Sequence, residues 1–117
     1  MDNIAKAGLV FLFDSALQEV ESAVTFAKVL RAYLPAIRRS ERIADVAVDI
    51  ASIARTIDEI SSGVRALITR TYAHMDELTA DDAVYVKETI ENTLGQLKDM
   101  IDGARPYLFG VDAVARK

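Results

Sequence analysis

The only histidine, His74, follows Arg70 by four residues in the stretch "RTYAH". On a helix that spacing puts both side chains on one face, where a guanidinium can hold a phosphate and an imidazole can move a proton. Four acidic residues follow closely, Asp76, Glu77, Asp81 and Asp82. They could attract a divalent cation, but the glycine and the ligand spacing of an EF-hand loop are missing. A basic group, Arg31, Arg38, Arg39 and Arg42, marks an anion or phosphate patch. With no cysteine, disulfides, thiolate catalysis and zinc–thiolate sites are excluded. One histidine cannot supply the two Glu-x-x-His pairs of a di-metal helical bundle. The five glycines are scattered, and no P-loop, dinucleotide turn or Gly-x-Ser-x-Gly elbow is formed. We therefore expect no catalytic residues, no metal and no cofactor.

The elements that would position these residues are helices. From Ile43 the middle of the chain keeps a heptad: Ile43, Ile50, Ile57, Val64 and Thr71 at position a, with Val46, Ile53, Ile60, Leu67 and His74 at d. Position e carries the small or apolar Ala47, Ala54, Ser61, Ile68 and Met75. Such a stripe marks a core-facing bundle helix, and the small residues at e let a neighbour approach closely. A first helix is expected from about Asn3 to Leu34, capped by Asp2 or Asn3 and ended or sharply kinked by Pro35. Pro35 or Ser40 would open the second helix. A third starts at "TADD", where Thr79 and Asp82 resemble a capping box with Asp in place of Glu. Gly103 and Pro106 look like a stop, yet the apolar pattern runs on through Ala104, Tyr107, Leu108, Val111 and Val114. The expected fold is all-α: an up-down-up antiparallel bundle of three long helices, the C-terminal part of helix 3 kinked or forming a short fourth helix, in one domain over residues 1–117.

The Arg70–His74 pair resembles the Arg and His of the HEPN family of small helical ribonucleases and toxin components. That family has four to six residues between the two; here there are three, Thr71, Tyr72 and Ala73. The resemblance implies an RNA-cleaving protein in which Arg70 binds the phosphate and His74 moves the proton.

A different feature points to interaction. Five large apolar residues stand in a row from Leu9 to Phe13. Leu9, Val10 and Phe13 belong to the main stripe of helix 1, while Phe11 and Leu12 fall on the far side. At heptad spacing from Leu12 come Glu19, Phe26 and Tyr33, with Val29 one turn from both aromatics. A helix apolar on two sides is usually buried on two sides. The leading expectation is a homo-oligomer, with a dimer as first guess, joined through Phe11, Leu12, Phe26, Val29 and Tyr33. The alternatives are the chain's own C-terminal segment, with Tyr107, Leu108, Phe109 and Val111, folded back, or a different protein partner or a membrane surface, the last disfavoured by the acidic Asp14, Glu19 and Glu21 on the helix.

In the up-down-up order Lys28, Arg31, Arg38, Arg39, Arg42, Arg105, Arg116 and Lys117 gather at one end. Asp2, Asp76, Glu77, Asp81, Asp82 and Glu88 gather at the other. Acidic helix starts and basic helix ends complement the macrodipoles, so this polarity needs no ligand. The whole chain of 117 residues carries 18 acidic against 14 basic residues, a net charge of -4, which disfavours nucleic acid as the main partner. The apolar run is far short of a bilayer span, and acidic residues follow it without a cleavage site. Met1 is read as the start of a cytoplasmic protein. Only Asn3, Asn92, Gln18 and Gln96 carry amides, a depletion of the kind seen in heat-adapted proteins. The functional expectation is a non-enzymatic interaction or scaffold module. Its alternatives are the HEPN-like ribonuclease and a nucleic-acid accessory subunit binding through residues 31–42.

Overall fold

The computed structural model describes residues 1–41 and 43–115, with side chains to residue 108. Three helices fill it: α1 (Asn3–Arg39), α2 (Ala47–Ala73) and α3 (Ala80–Ala115). A single 3₁₀ turn precedes α2 (Ala44–Val46) and another precedes α3 (Met75–Glu77). The result is a rod of 59 × 17 × 17 Å, close to the length of α1 itself at 1.5 Å per residue.

Cross-helix contacts give the topology. Phe13 of α1 meets Tyr72 of α2 with ring centroids 6.3 Å apart, and Arg31 pairs with Asp58. Rising numbers on α1 meet falling numbers on α2, so the two are antiparallel. Along the other flank, residues 5–12 of α1 lie beside Ala83, Val84 and Lys87, and residues 15–23 lie beside residues 94–105. Here both numbers rise, so α1 and α3 run parallel. The fold is the expected up-down-up bundle.

The core of α1 is a regular stripe from Leu9, Phe13 and Ala16 to Leu30, Leu34 and Ile37. On α2 the fully buried residues are those at a and e, including Ile50, Ile57, Ala54 and Ser61, whereas Ile53, Ile60 and Leu67 at d are half-buried. The small e residues are thus buried as deeply as the isoleucines at a. A methyl or hydroxymethyl there lets α1 and α2 close tightly, and the larger d residues are left to the looser contact with α3.

Both prolines differ from expectation. α1 does not stop near Leu34 but continues past Pro35 to Arg39, and Ser40 closes it with its N–H donating to the Ile37 carbonyl. Pro35 lies on the exposed side, while Leu34 and Ile37 are buried beside it. Burial of those two apolar chains outweighs the hydrogen bond that proline forgoes. Ser40 therefore ends α1 rather than opening α2. α3 likewise runs unbroken past Gly103 and Pro106 to Ala115, anchored by the fully buried Ala104. Among the described residues there is no separate fourth helix, and the segment from Tyr107 to Ala115 continues α3 instead of folding back over α1. The side chains of Phe109 and Val111 lie outside the described residues.

Helix starts follow local chemistry. Asp2 caps α1 by accepting from the Ala5 N–H at 2.7 Å. Before α3, the Thr79 N–H donates to Asp82 Oδ2 at 3.0 Å and the Asp82 N–H donates to Thr79 Oγ1 at 3.1 Å, a reciprocal capping box. The Thr79 backbone N–H and then its hydroxyl hold the Asp82 carboxyl below the usual aspartate range. A depressed folded-state pKa adds stability above the unfolded value, about 3.9, and the gain is lost as pH falls through the folded value. Asp82→Asn is expected to lower the melting temperature at pH 7 and to flatten its decline in acid. Thermal melts from pH 7 to pH 2 check this, and parallel curves would refute it.

Candidate functional site: the outer face of α1 and the α1–α3 cleft

The position of α3 answers much of the question raised by the two-faced helix. Leu12 does not point away from the bundle; it lines a groove of about 260 Å³ with Ala5, Gly8, Leu9, Ala83 and Val84. Phe26 and Tyr33 stand one and two heptads beyond Glu19, which lines the next part of the same flank. Both are half-buried against the core. A helix in a three-helix bundle touches two neighbours, so its apolar arc is wider than one stripe, and α3 takes up the part around Leu12. Phe11 is different: it is 77% exposed, and Ile4, seven residues earlier on the same side, is 85% exposed. Val29 is 39% exposed. Of the five expected interface residues, then, Phe11 and Val29 are open, and Leu12, Phe26 and Tyr33 show only an edge.

Beyond Leu12 the α1–α3 packing opens into a cleft of about 630 Å³. Its α1 wall is polar, with Ser15, Gln18, Glu19 and Ser22; its α3 wall presents Leu94, Leu97 and Ile101, with Lys98 and the Arg105–Asp102 pair at the rim. The cause is sequence: the flank that holds Leu12, Phe26 and Tyr33 carries Glu19 between them. A carboxylate there cannot be buried against leucines without a partner, so the two helices stay apart.

The residues that could do chemistry are dispersed. His74 is not the inward d residue that the heptad implies. α2 ends at Ala73, and the imidazole, with a 64% exposed side chain, turns out to within 3.4 Å of Glu77. Arg70 is also exposed, one turn before it. Nothing encloses the pair, and a proton-transfer site gains its strength from exclusion of water. At the other end of α1 the expected anion patch is divided. Arg31 is committed to Asp58 and to the Ala54 carbonyl on α2, whereas Arg38 and Arg39 are exposed in the last turn. Arg42, Arg116 and Lys117 lie outside the described residues. In the acidic region Asp76 accepts from Lys6 Nζ at 2.8 Å, and that lysine holds its carboxyl below the usual range. Among the described residues no three His, Asp or Glu side chains converge as a metal site requires, and no helix is long and apolar enough to cross a membrane.

Fold and surface together define an all-α three-helix bundle with an exposed apolar edge on α1. The chain matches no family model, no curated protein and no solved structure. The exposed edge was legible in part: the run from Leu9 to Phe13 identified Phe11. Ile4 and the cleft were missed, since Ile4 stands alone in sequence and a cleft exists only between two helices.

Proposed function

We propose that this chain is a non-enzymatic helical-bundle module of the cytoplasm that associates with a second copy of itself through the outer face of α1. The observation that carries the reading is Phe11, 77% exposed on a rigid helix and aligned with the 85% exposed Ile4. Moving side chains of this kind out of water favours association by about 1.5–3 kcal/mol each. Two copies joined by a two-fold axis remove Phe11 and Ile4 from water twice over.

Light scattering behind size exclusion, over a hundredfold range of concentration, tests the reading. A dimer that dissociates on dilution is expected. Phe11→Asp should give a monomer with unchanged far-ultraviolet circular dichroism, because the side chain makes no core contact. A native chain that is monomeric at every concentration would overturn the proposal.

A further inference from the structure

The three helices are not held equally, and the inequality lies within one chain, apart from any association between copies. We infer that α3 is a lid on the α1–α2 hairpin: it undocks and unwinds as a unit while α1 and α2 stay paired.

Burial is the first sign. Among the described residues, the large apolar side chains sealed most completely are Phe13, Val20, Leu30 and Ile37 of α1, Ile50 and Ile57 of α2, and Ile90 alone of α3. Leu94, Met100, Ile101 and Leu108 of α3 pack on the same core but are only half-buried. The seams differ in the same direction. α1 and α2 close tightly over the small, buried Ala54 and Ser61. α3 has open space on both flanks: grooves of about 630 and 260 Å³ against α1, and one of about 220 Å³ against α2 between Ile60, Gly63, Leu67, Thr89 and Thr93. Side chains that line a groove lack contact atoms on one side, which weakens the seat of α3.

Polar contacts follow the same division. Arg31 ties α1 to Asp58 and to the Ala54 carbonyl of α2. On α3, the Thr89 and Thr93 hydroxyls donate to the Tyr85 and Thr89 carbonyls of their own helix, and Arg105 pairs with Asp102. The helix is also weak by itself. Gly95 and Gly103 stand in its interior, and each costs about 1 kcal/mol relative to alanine. A Cβ at either would meet nothing within 4 Å, so close packing does not demand them.

The free energy of a local opening is what the opening element gives up. α3 gives up the burial of Val86, Ile90, Leu97 and Ala104 and of its half-buried neighbours. Unfolding of the whole chain gives up all of that and the α1–α2 seam as well. Opening brings into water Leu9 and Leu12 of α1 and Ile60 and Leu67 of α2, which border the lid. Leu12, Ile60 and Leu67 are already half-buried, so uncovering them costs less than uncovering a sealed core.

Native-state hydrogen exchange resolved by residue, under conditions where closing outpaces exchange, tests the lid. After correction for intrinsic rates, the Ile90 and Leu97 amides are expected to exchange faster than those of Val20 and Ile57 by about tenfold or more. Phe13→Leu then separates the two openings, because the Phe13 ring meets Tyr72 across the α1–α2 seam. It weakens that seam equally whether the lid is closed or open. The Val20 and Ile57 amides should therefore speed up by about fivefold or more, with the Ile90 and Leu97 amides unchanged. Equal protection in all three helices would overturn the inference, since the bundle would then open only as a whole. A Phe13→Leu chain in which all three helices speed up together would overturn it too. α3 opens within one chain, so the same ordering is expected of a monomer and of a dimer joined through the outer face of α1.

Discussion

Phe13→Ala is expected to cost about 3–5 kcal/mol, while Phe11→Ala, two residues earlier, should change monomer stability by less than about 0.5 kcal/mol. The two aromatics have the same chemistry and opposite surroundings. Phe13 is 1% exposed and its ring contacts Tyr72 of α2. Truncation removes the transfer energy of the ring and leaves a void between two helices that cannot close further without moving a backbone. Phe11 is 77% exposed, so truncation leaves no void. Domains of this size hold about 5–15 kcal/mol in total, so Phe13→Ala should take away a large share. Urea unfolding, followed by circular dichroism at a concentration low enough to hold both variants monomeric, measures the difference. Equal losses would mean that the helix is rotated relative to the one described.

Ser61→Ala should stabilise the protein by about 1–3 kcal/mol, a rare sign for a core substitution. Ser61 is 1% exposed on α2, and its hydroxyl has no hydrogen-bond partner among the described residues. A buried hydroxyl without a partner has lost its water and gained nothing in return. The antiparallel register set by Phe13 with Tyr72 and Arg31 with Asp58 places it opposite residues 24–28 of α1. That stretch includes the fully buried Ala27, one turn beyond the fully buried Ala23, and alanine methyls offer no acceptor. Alanine keeps the size that the tight α1–α2 approach demands, removes the orphan group and is the better helix former. Valine at the same site should destabilise, because extra methyls would push the helices apart. A pair of denaturant titrations decides it: a drop in stability for Ser61→Ala would mean that the hydroxyl is bonded after all.

The amino-acid order alone determined the three helices, their antiparallel succession and most of the core, because a heptad of apolar residues is a local property that survives any packing. It also determined the Asp2 cap and the Thr79–Asp82 capping box, since both are closed within four residues. Only the tertiary structure decided where the long helices end. At Pro35 and Pro106 the local rule for proline competes with burial of Leu34, Ile37 and Ala104, and burial is a sum over neighbours that no local window contains. His74 shows the same limit from the other side: the heptad placed it inward, but α2 had already ended one residue earlier. The second face of α1 is the clearest case. Periodicity marked Phe11, Leu12, Phe26 and Tyr33 as a surface in need of a cover, and could not say that the bundle would half-bury Leu12, Phe26 and Tyr33 and leave Phe11 and Ile4 in water. Which flank a third helix takes is fixed by the packing of all three together, and that packing set both the cleft beside Glu19 and the exposed edge on which the proposed dimer rests.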